Sequence, residues 1–317
     1  MAINVRSNQG PTVPAQWLRQ TPKDIPFDEM RQRLRSDGYV YVKNLLPREE
    51  VQSVRKEYNA TTSAYFTLYE PTGIIKPGSF LEDGIFNDQN DPLAHGGIGA
   101  GELPPTDLQV QTMINAHTQP KYLQLLENPE FRTFVQGLMG WQKEILLTRT
   151  MIRHNAPGAL STAVHYDKLF LRKGEAEFLT AWVPIGDTKT TGGGLMYLSD
   201  SVLLGREIES DFSKRAKDLS HEERLSAFNV HMEKYGQLSQ DASEFGDMHK
   251  VDGSRNWLVA DYEAGDVVFH DPYIVHASTR NEGGDGRVRV STDLRFYEEG
   301  SDMDDRWMKL WTPGDGL

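Results

Sequence analysis

From residue 144 onward the chain is a succession of short β-like runs, and this texture constrains the fold more than any other feature. EILLTRTMIRH (144–154), STAVHYDKLFLR (161–172), FLTAWVPIG (178–186) and GLMYLSD (194–200) come first. DVVFH (266–270), YIVHAS (273–278) and VRVSTDLRFY (288–297) follow. Gly, Pro, Asp and Asn separate them, which is the pattern of an antiparallel sandwich or jelly roll. One block breaks the series. Residues 205–250 are charged and helical in period, and read as a helical insertion between two strands.

The first half is organised differently. Residues 1–26 are polar and proline-bearing (Pro11, Pro14, Pro22, Pro26) and read as an irregular N-terminal arm. FDEMRQRLRSD (27–37) predicts an amphipathic helix stopped by Gly38, and YVYVKNLL (39–46) predicts a strand. A second helix starts after Pro47, and a helical block covers about 118–140. Residues 71–105 show no sustained period, as expected of a functional lid or a disordered stretch. The reading is one domain over 27–317, mainly β with flanking helices.

Composition removes several function classes. Lys and Arg number 34 against 46 Asp and Glu, a net charge of −12, which disfavours nucleic acid and anionic membranes as partners. No cysteine is present, which removes disulfides, thiolate-zinc sites, iron–sulfur clusters and thiol nucleophiles. No apolar run approaches 18 residues, the first residues lack an apolar signal core, and the chain ends WTPGDGL rather than in a peroxisomal tripeptide. The expectation is a cytoplasmic protein acting on a small molecule, and a homodimer stays open.

The chemistry-bearing residues lie in the β region. His165 and Asp167 are two apart in a run read as a strand, so both would project to one side. His276 ends another β run. Two imidazoles and one carboxylate on one side of an ion, with open positions opposite, form the ligand set of non-heme Fe(II) oxygenases. Downstream, Arg289 and Ser291 share a strand face, where a guanidinium fork and a hydroxyl can grip a carboxylate. Arg287 has the same parity and competes with Arg289 for that role.

This ordered set resembles the Fe(II)/2-oxoglutarate-dependent dioxygenases, and more specifically the phytanoyl-CoA dioxygenase (PhyH-like) family. DGYVYVKNLLPREEV (37–51) is similar to that family's opening strand and helix, and AWVPIGDTKTTGGGLMYLSDS (181–201) to a later segment. The resemblance implies a double-stranded β-helix, cupin-like core. It implies that His165, Asp167 and His276 bind iron and that Arg289, assisted by Ser291, binds the distal carboxylate of 2-oxoglutarate. Thr162 would contact this cosubstrate and Trp182 would wall its pocket. Fe(II), 2-oxoglutarate and O2 would be used to hydroxylate, desaturate or cyclise a small molecule, with release of succinate and CO2. Asp167 fills the position that a small residue takes in the family's halogenases, which favours hydroxylation. Two alternatives stay open: a non-catalytic jelly-roll ligand-binding module, and a cupin-like zinc or nickel isomerase or hydrolase.

Overall fold

Alternation of side chains decides the architecture. In a computed structural model, which describes residues 3–63, 111, 114–155, 157–158, 161–225, 237–250, 255–283 and 287–312, two sheets face one another. The smaller holds β1 (Ile3–Val5), β2 (Val13–Trp17), β9 (Trp257–Val259), β8 (Leu195–Leu198) and β11 (His276–Ser278), in that order. The larger runs β3 (Gln20–Thr21), β4 (Tyr39–Val42), β10 (Val267–His270), β7 (Leu179–Pro184), β12 (Arg289–Glu298) and β5 (Glu144–Leu146). β6 (Met151–Asn155) also pairs with β12.

Each long strand of the larger sheet splits its residues between two environments. Val40, Val42, Ala181, Val183, Val267, Phe269, Val290, Leu294 and Phe296 join a core with the helices. The intervening Tyr39, Tyr41, Trp182 and Val268 meet Leu195, Tyr197 and Leu258 of the smaller sheet. This period of two is the pleat of a strand buried on both faces. On β12 it sends Arg289, Ser291, Asp293 and Arg295 to the side away from the helix-packed residues. That is the side facing the smaller sheet.

The helical expectations hold with refinements. α1 spans Phe27–Asp37 and ends at Gly38, whose φ of 79° lets its N–H bond Leu34 O at 3.0 Å. α2 spans Arg48–Ser63. The block at 118–140 is two helices, α3 (Pro120–Leu126) and α4 (Pro129–Met139). Asn128 breaks them apart by capping the Phe131 N–H, with Pro129 at the first helical position. The insertion supplies α5 (Val202–Arg215), α6 (His221–Leu225) and α7 (Ala242–Met248), between β8 and β9. The 71–105 segment lies outside the described residues.

Two expectations need correction. The N-terminal residues are not irregular, because β1, β2 and β3 extend both sheets, β2 pairing in parallel with β9. The run 161–172 is not a strand. Val164 and His165 make single bridges, and Asp167–Leu169 is a 3-10 turn. Among the described residues no helix is long and apolar enough to cross a membrane.

Candidate active site

His165 and His276 are brought together by the backbone itself. They face each other in an antiparallel bridge, with His165 N–H donating to His276 O at 2.9 Å and His276 N–H to His165 O at 2.8 Å. Directly opposed residues put their side chains on the same side, and the two ring centroids are 4.2 Å apart. Asp167 arrives by the 3-10 turn that follows. Its Oδ1 lies 3.8 Å from each Nε2. One ligand atom from each of the three residues lies within 4.8 Å of the others, and all three side chains are buried.

The imidazoles are set up as metal ligands. His165 Nδ1 is 2.7 Å from Ala163 O and His276 Nδ1 is 3.0 Å from Ile274 O, so each Nδ1–H donates to a carbonyl and each Nε2 keeps its lone pair. Burial, and then the neighbouring His276, lower the pKa of His165 to about 3. Burial and His270 lower that of His276 to about 4. Both rings are therefore neutral, as coordination requires. Burial raises the Asp167 pKa, but the Arg295 charge and the nearby histidines outweigh it, and the carboxyl titrates well below its ordinary value. The donor set thus fits a divalent ion of borderline character such as ferrous iron.

A second layer holds Asp167. Thr180 Oγ1 donates to Oδ2 at 2.5 Å, Arg295 Nη2 lies 3.2 Å from Oδ1, and His270 Nε2 is 3.4 Å from Oδ2. His270 Nδ1 in turn is 3.1 Å from the Tyr197 hydroxyl. Arg295, Thr180, Asp293 and Arg153 are functional candidates that the reading of motifs missed. The signal was present: β12 continues the R-x-S pattern as R-x-S-x-D-x-R, four polar residues at alternate positions with Val290, Thr292 and Leu294 between them.

Arg289 lies buried further along the same interior. Its Nε donates to Gly193 O at 2.7 Å, Nη1 to Ser291 Oγ at 2.8 Å and Nη2 to Ser278 Oγ at 3.2 Å. These acceptors are all neutral. Each terminal nitrogen retains one N–H, the fork that a carboxylate accepts in two bonds. Ser278 stands two residues after His276 on β11, so it bridges the space between the triad and Arg289. Gly193, with φ of 87°, lies in the turn that brings its carbonyl to the guanidinium. Burial lowers the Arg289 pKa to about 10, which leaves it charged near neutrality.

The remaining candidates are placed as follows. Arg287 precedes β12 and, together with Asp187, Lys189, Gly192 and Arg289 itself, lines a cleft of about 370 Å³. Thr162 O accepts from Ser278 N at 2.9 Å, which sets it beside the same strand as His276. Trp182 is fully buried edge-on to Tyr262, with centroids 4.6 Å apart, in the core between the sheets.

Comparison with known proteins agrees with this geometry. The family model for phytanoyl-CoA dioxygenase (PhyH) matches residues 34–289. Among solved structures, the chain is similar to SnoK, a non-heme alpha-ketoglutarate-dependent carbocyclase from nogalamycin biosynthesis. The two are 18% identical over 95% of this chain and 96% of that one, with a TM-score of 0.52, a likeness of fold. SnoN, an alpha-ketoglutarate-dependent epimerase from the same biosynthesis, matches at 17% identity and TM-score 0.45 over 92% and 91% of the two chains. AviO1 from Streptomyces viridochromogenes Tue57 matches at 14% identity and TM-score 0.44 over 86% and 96%. The search of curated proteins gave no match. With the family model covering most of its length, the chain belongs to the phytanoyl-CoA dioxygenase (PhyH) family, and so to the iron- and 2-oxoglutarate-dependent oxygenases.

Proposed function

We propose that this enzyme hydroxylates a small molecule, with His165, Asp167 and His276 as the iron ligands and Arg289 as the clamp on the distal carboxylate of 2-oxoglutarate. The observation that carries the reading is a conjunction. Two free Nε2 atoms and one carboxylate oxygen converge on a point, and a buried guanidinium with only neutral partners lies farther along the same interior. Arg289 is buried in that interior whereas Arg287 is only half-buried at the cleft that both line, which supports Arg289 for the clamp. Ser291 and Ser278 orient its fork. Thr162 lies where it could contact the cosubstrate through its neighbour Ser278, whereas Trp182 supports the wall through its packing on Tyr262.

Iron bound at the triad would supply the activation of O2 coupled to oxidative decarboxylation of 2-oxoglutarate. The chain's own residues do the rest. The backbone carbonyls of Ala163 and Ile274 fix the tautomer and orientation of the imidazoles. Thr180 and Arg295 keep Asp167 ionised and in place. The packed sheets bury the three triad side chains. Asp167 occupies the carboxylate position, which favours oxygen transfer to the substrate over halide transfer.

The test is aerobic incubation of iron-loaded protein with 2-oxoglutarate and a panel of small molecules. The expected result is succinate release matched by a product heavier by one oxygen atom. A product lighter by two hydrogens, or an isomer, would replace hydroxylation by desaturation or epimerisation. No iron-dependent succinate with any compound, in protein shown to hold iron and 2-oxoglutarate, would contradict the reading.

A further inference from the structure

The interior carries more positive charge than an iron ion and its cosubstrate account for. Arg153 projects from β6, where it stands opposite Ser291 of β12. Its Nε donates to Asp293 Oδ2 at 2.9 Å, and Arg295 Nη2 lies 4.0 Å from that same oxygen. The two guanidiniums are therefore neighbours around one carboxylate. Their side chains are 8% and 4% exposed. Yet Arg153 Nη1, Arg295 Nε and Arg295 Nη1 are buried without a hydrogen-bond partner among the described residues. Buried polar groups are rarely left unmatched, and an unpaired guanidinium N–H is among the costliest, so these donors indicate a missing acceptor.

Charge balance points the same way. Among the described residues, Arg153, Arg289 and Arg295 face Asp167 and Asp293 in this interior. The distal carboxylate of a dianionic cosubstrate would match Arg289, whose nitrogens already lean on Gly193, Ser291 and Ser278. Its other carboxylate together with Asp167 would match a divalent ion. Arg153 and Arg295 then share Asp293 alone, which leaves one positive charge together with three unmatched donors.

We propose that Arg153 and Arg295 form a second anion subsite beside the metal centre, which receives a carboxylate of the primary substrate. This rests on the function proposed above and narrows the substrate to an acidic small molecule. Arg295 contacts Asp167, so the subsite adjoins the reacting centre and would hold the acid group close to it. Among the described residues Arg153 is paired with Asp293 and forms no hydrogen bond or ion pair with the metal ligands, so its part is recognition. An amide or ester in place of the acid would leave the surplus charge unmatched, so discrimination against such analogues is expected to exceed tenfold.

The test is a crystal structure of the protein with Mn(II) and 2-oxoglutarate, soaked in sodium bromide and read by anomalous scattering. The expected result is bromide within reach of Arg153 and Arg295 while 2-oxoglutarate occupies the Arg289 fork. Arg153→Met should lose that bromide and keep Mn(II) and 2-oxoglutarate. Bromide absent from the pair, or 2-oxoglutarate itself on the pair, would overturn the proposal. Mn(II) or 2-oxoglutarate missing from the triad and Arg289 would instead refute the underlying function. In the substrate panel, compounds that trigger succinate release should carry a carboxylate, and Arg153→Met should raise their KM at least tenfold. A neutral substrate turned over equally by wild type and Arg153→Met would also overturn it.

Discussion

At the scale of single residues, the site is governed by what each polar atom has for a partner. The histidines spend Nδ1 on carbonyls two residues upstream, and this leaves Nε2 for a ligand. Arg289 spends its bonds on neutral oxygens and keeps a fork open. Removing a buried, charge-assisted contact costs about 3 kcal/mol, or about 100-fold. Arg289→Met is therefore expected to raise KM for 2-oxoglutarate by about 100-fold, and Arg287→Met to leave it within about 3-fold. Steady-state kinetics on both variants checks this, and the reverse order would move the clamp to Arg287. The residue types of the triad were legible in the sequence, but their geometry was not. Strand parity was the stated reason for pairing His165 with Asp167, whereas a 3-10 turn delivers the carboxylate. Nor could a motif of two residues show that Asp293 and Arg295 continue the ladder inward.

At the scale of elements, the insertion is tied to the segments that carry the ligands. Glu209 of α5 accepts from the Tyr166 hydroxyl at 2.8 Å and forms a two-bond pair with Arg172 at 2.7 and 2.8 Å. Tyr166 lies between His165 and Asp167 in sequence. Arg206 of α5 lies 3.6 Å from Asp271 and over the Tyr273 ring, on the approach to His276. α5 thus braces both sides of the triad. Glu209→Ala is expected to lower stability by about 2 kcal/mol and to weaken ferrous binding. Denaturant unfolding and metal titration check this, and unchanged metal affinity would make α5 a support of the fold alone.

A second element-scale clamp joins α2 to the segment after β7. Arg48 donates to both oxygens of Asp187 at 2.7 Å, and Ala264 N–H adds a third bond at 3.0 Å. The Arg48 hydrogen bonds are the main cause of a pKa lowered to about 2, so the folded state favours the carboxylate. Its contribution is complete above the unfolded carboxyl value near 4 and is lost as pH falls toward 2. The stability gap between wild type and Asp187→Asn should therefore shrink across that window and shrink further in high salt, because the pair is exposed. Acid unfolding curves check it. α1 was legible because Gly38 marks its end and its apolar residues keep helical spacing. The N-terminal strands were not, because β2 pairs with a three-residue strand some 240 positions away, and such pairing leaves no local trace.

At the scale of the whole molecule, an acidic chain of net charge −12 encloses a site where three buried arginines, Arg153, Arg289 and Arg295, face two buried carboxylates, Asp167 and Asp293. The two sheets make that inversion possible by shielding the interior from the surface charge. The jelly-roll class was readable from the succession of short runs, since each strand had to bury two faces. The central claim is that three distant side chains make one iron site that is completed by 2-oxoglutarate. Anaerobic titration with ferrous iron in the presence of 2-oxoglutarate tests it most directly. The account predicts one iron per chain in the wild type and a loss of that site in both Asp167→Ala and His276→Ala variants that remain folded. A wild type that holds no iron, or variants that hold as much as it does, would contradict it.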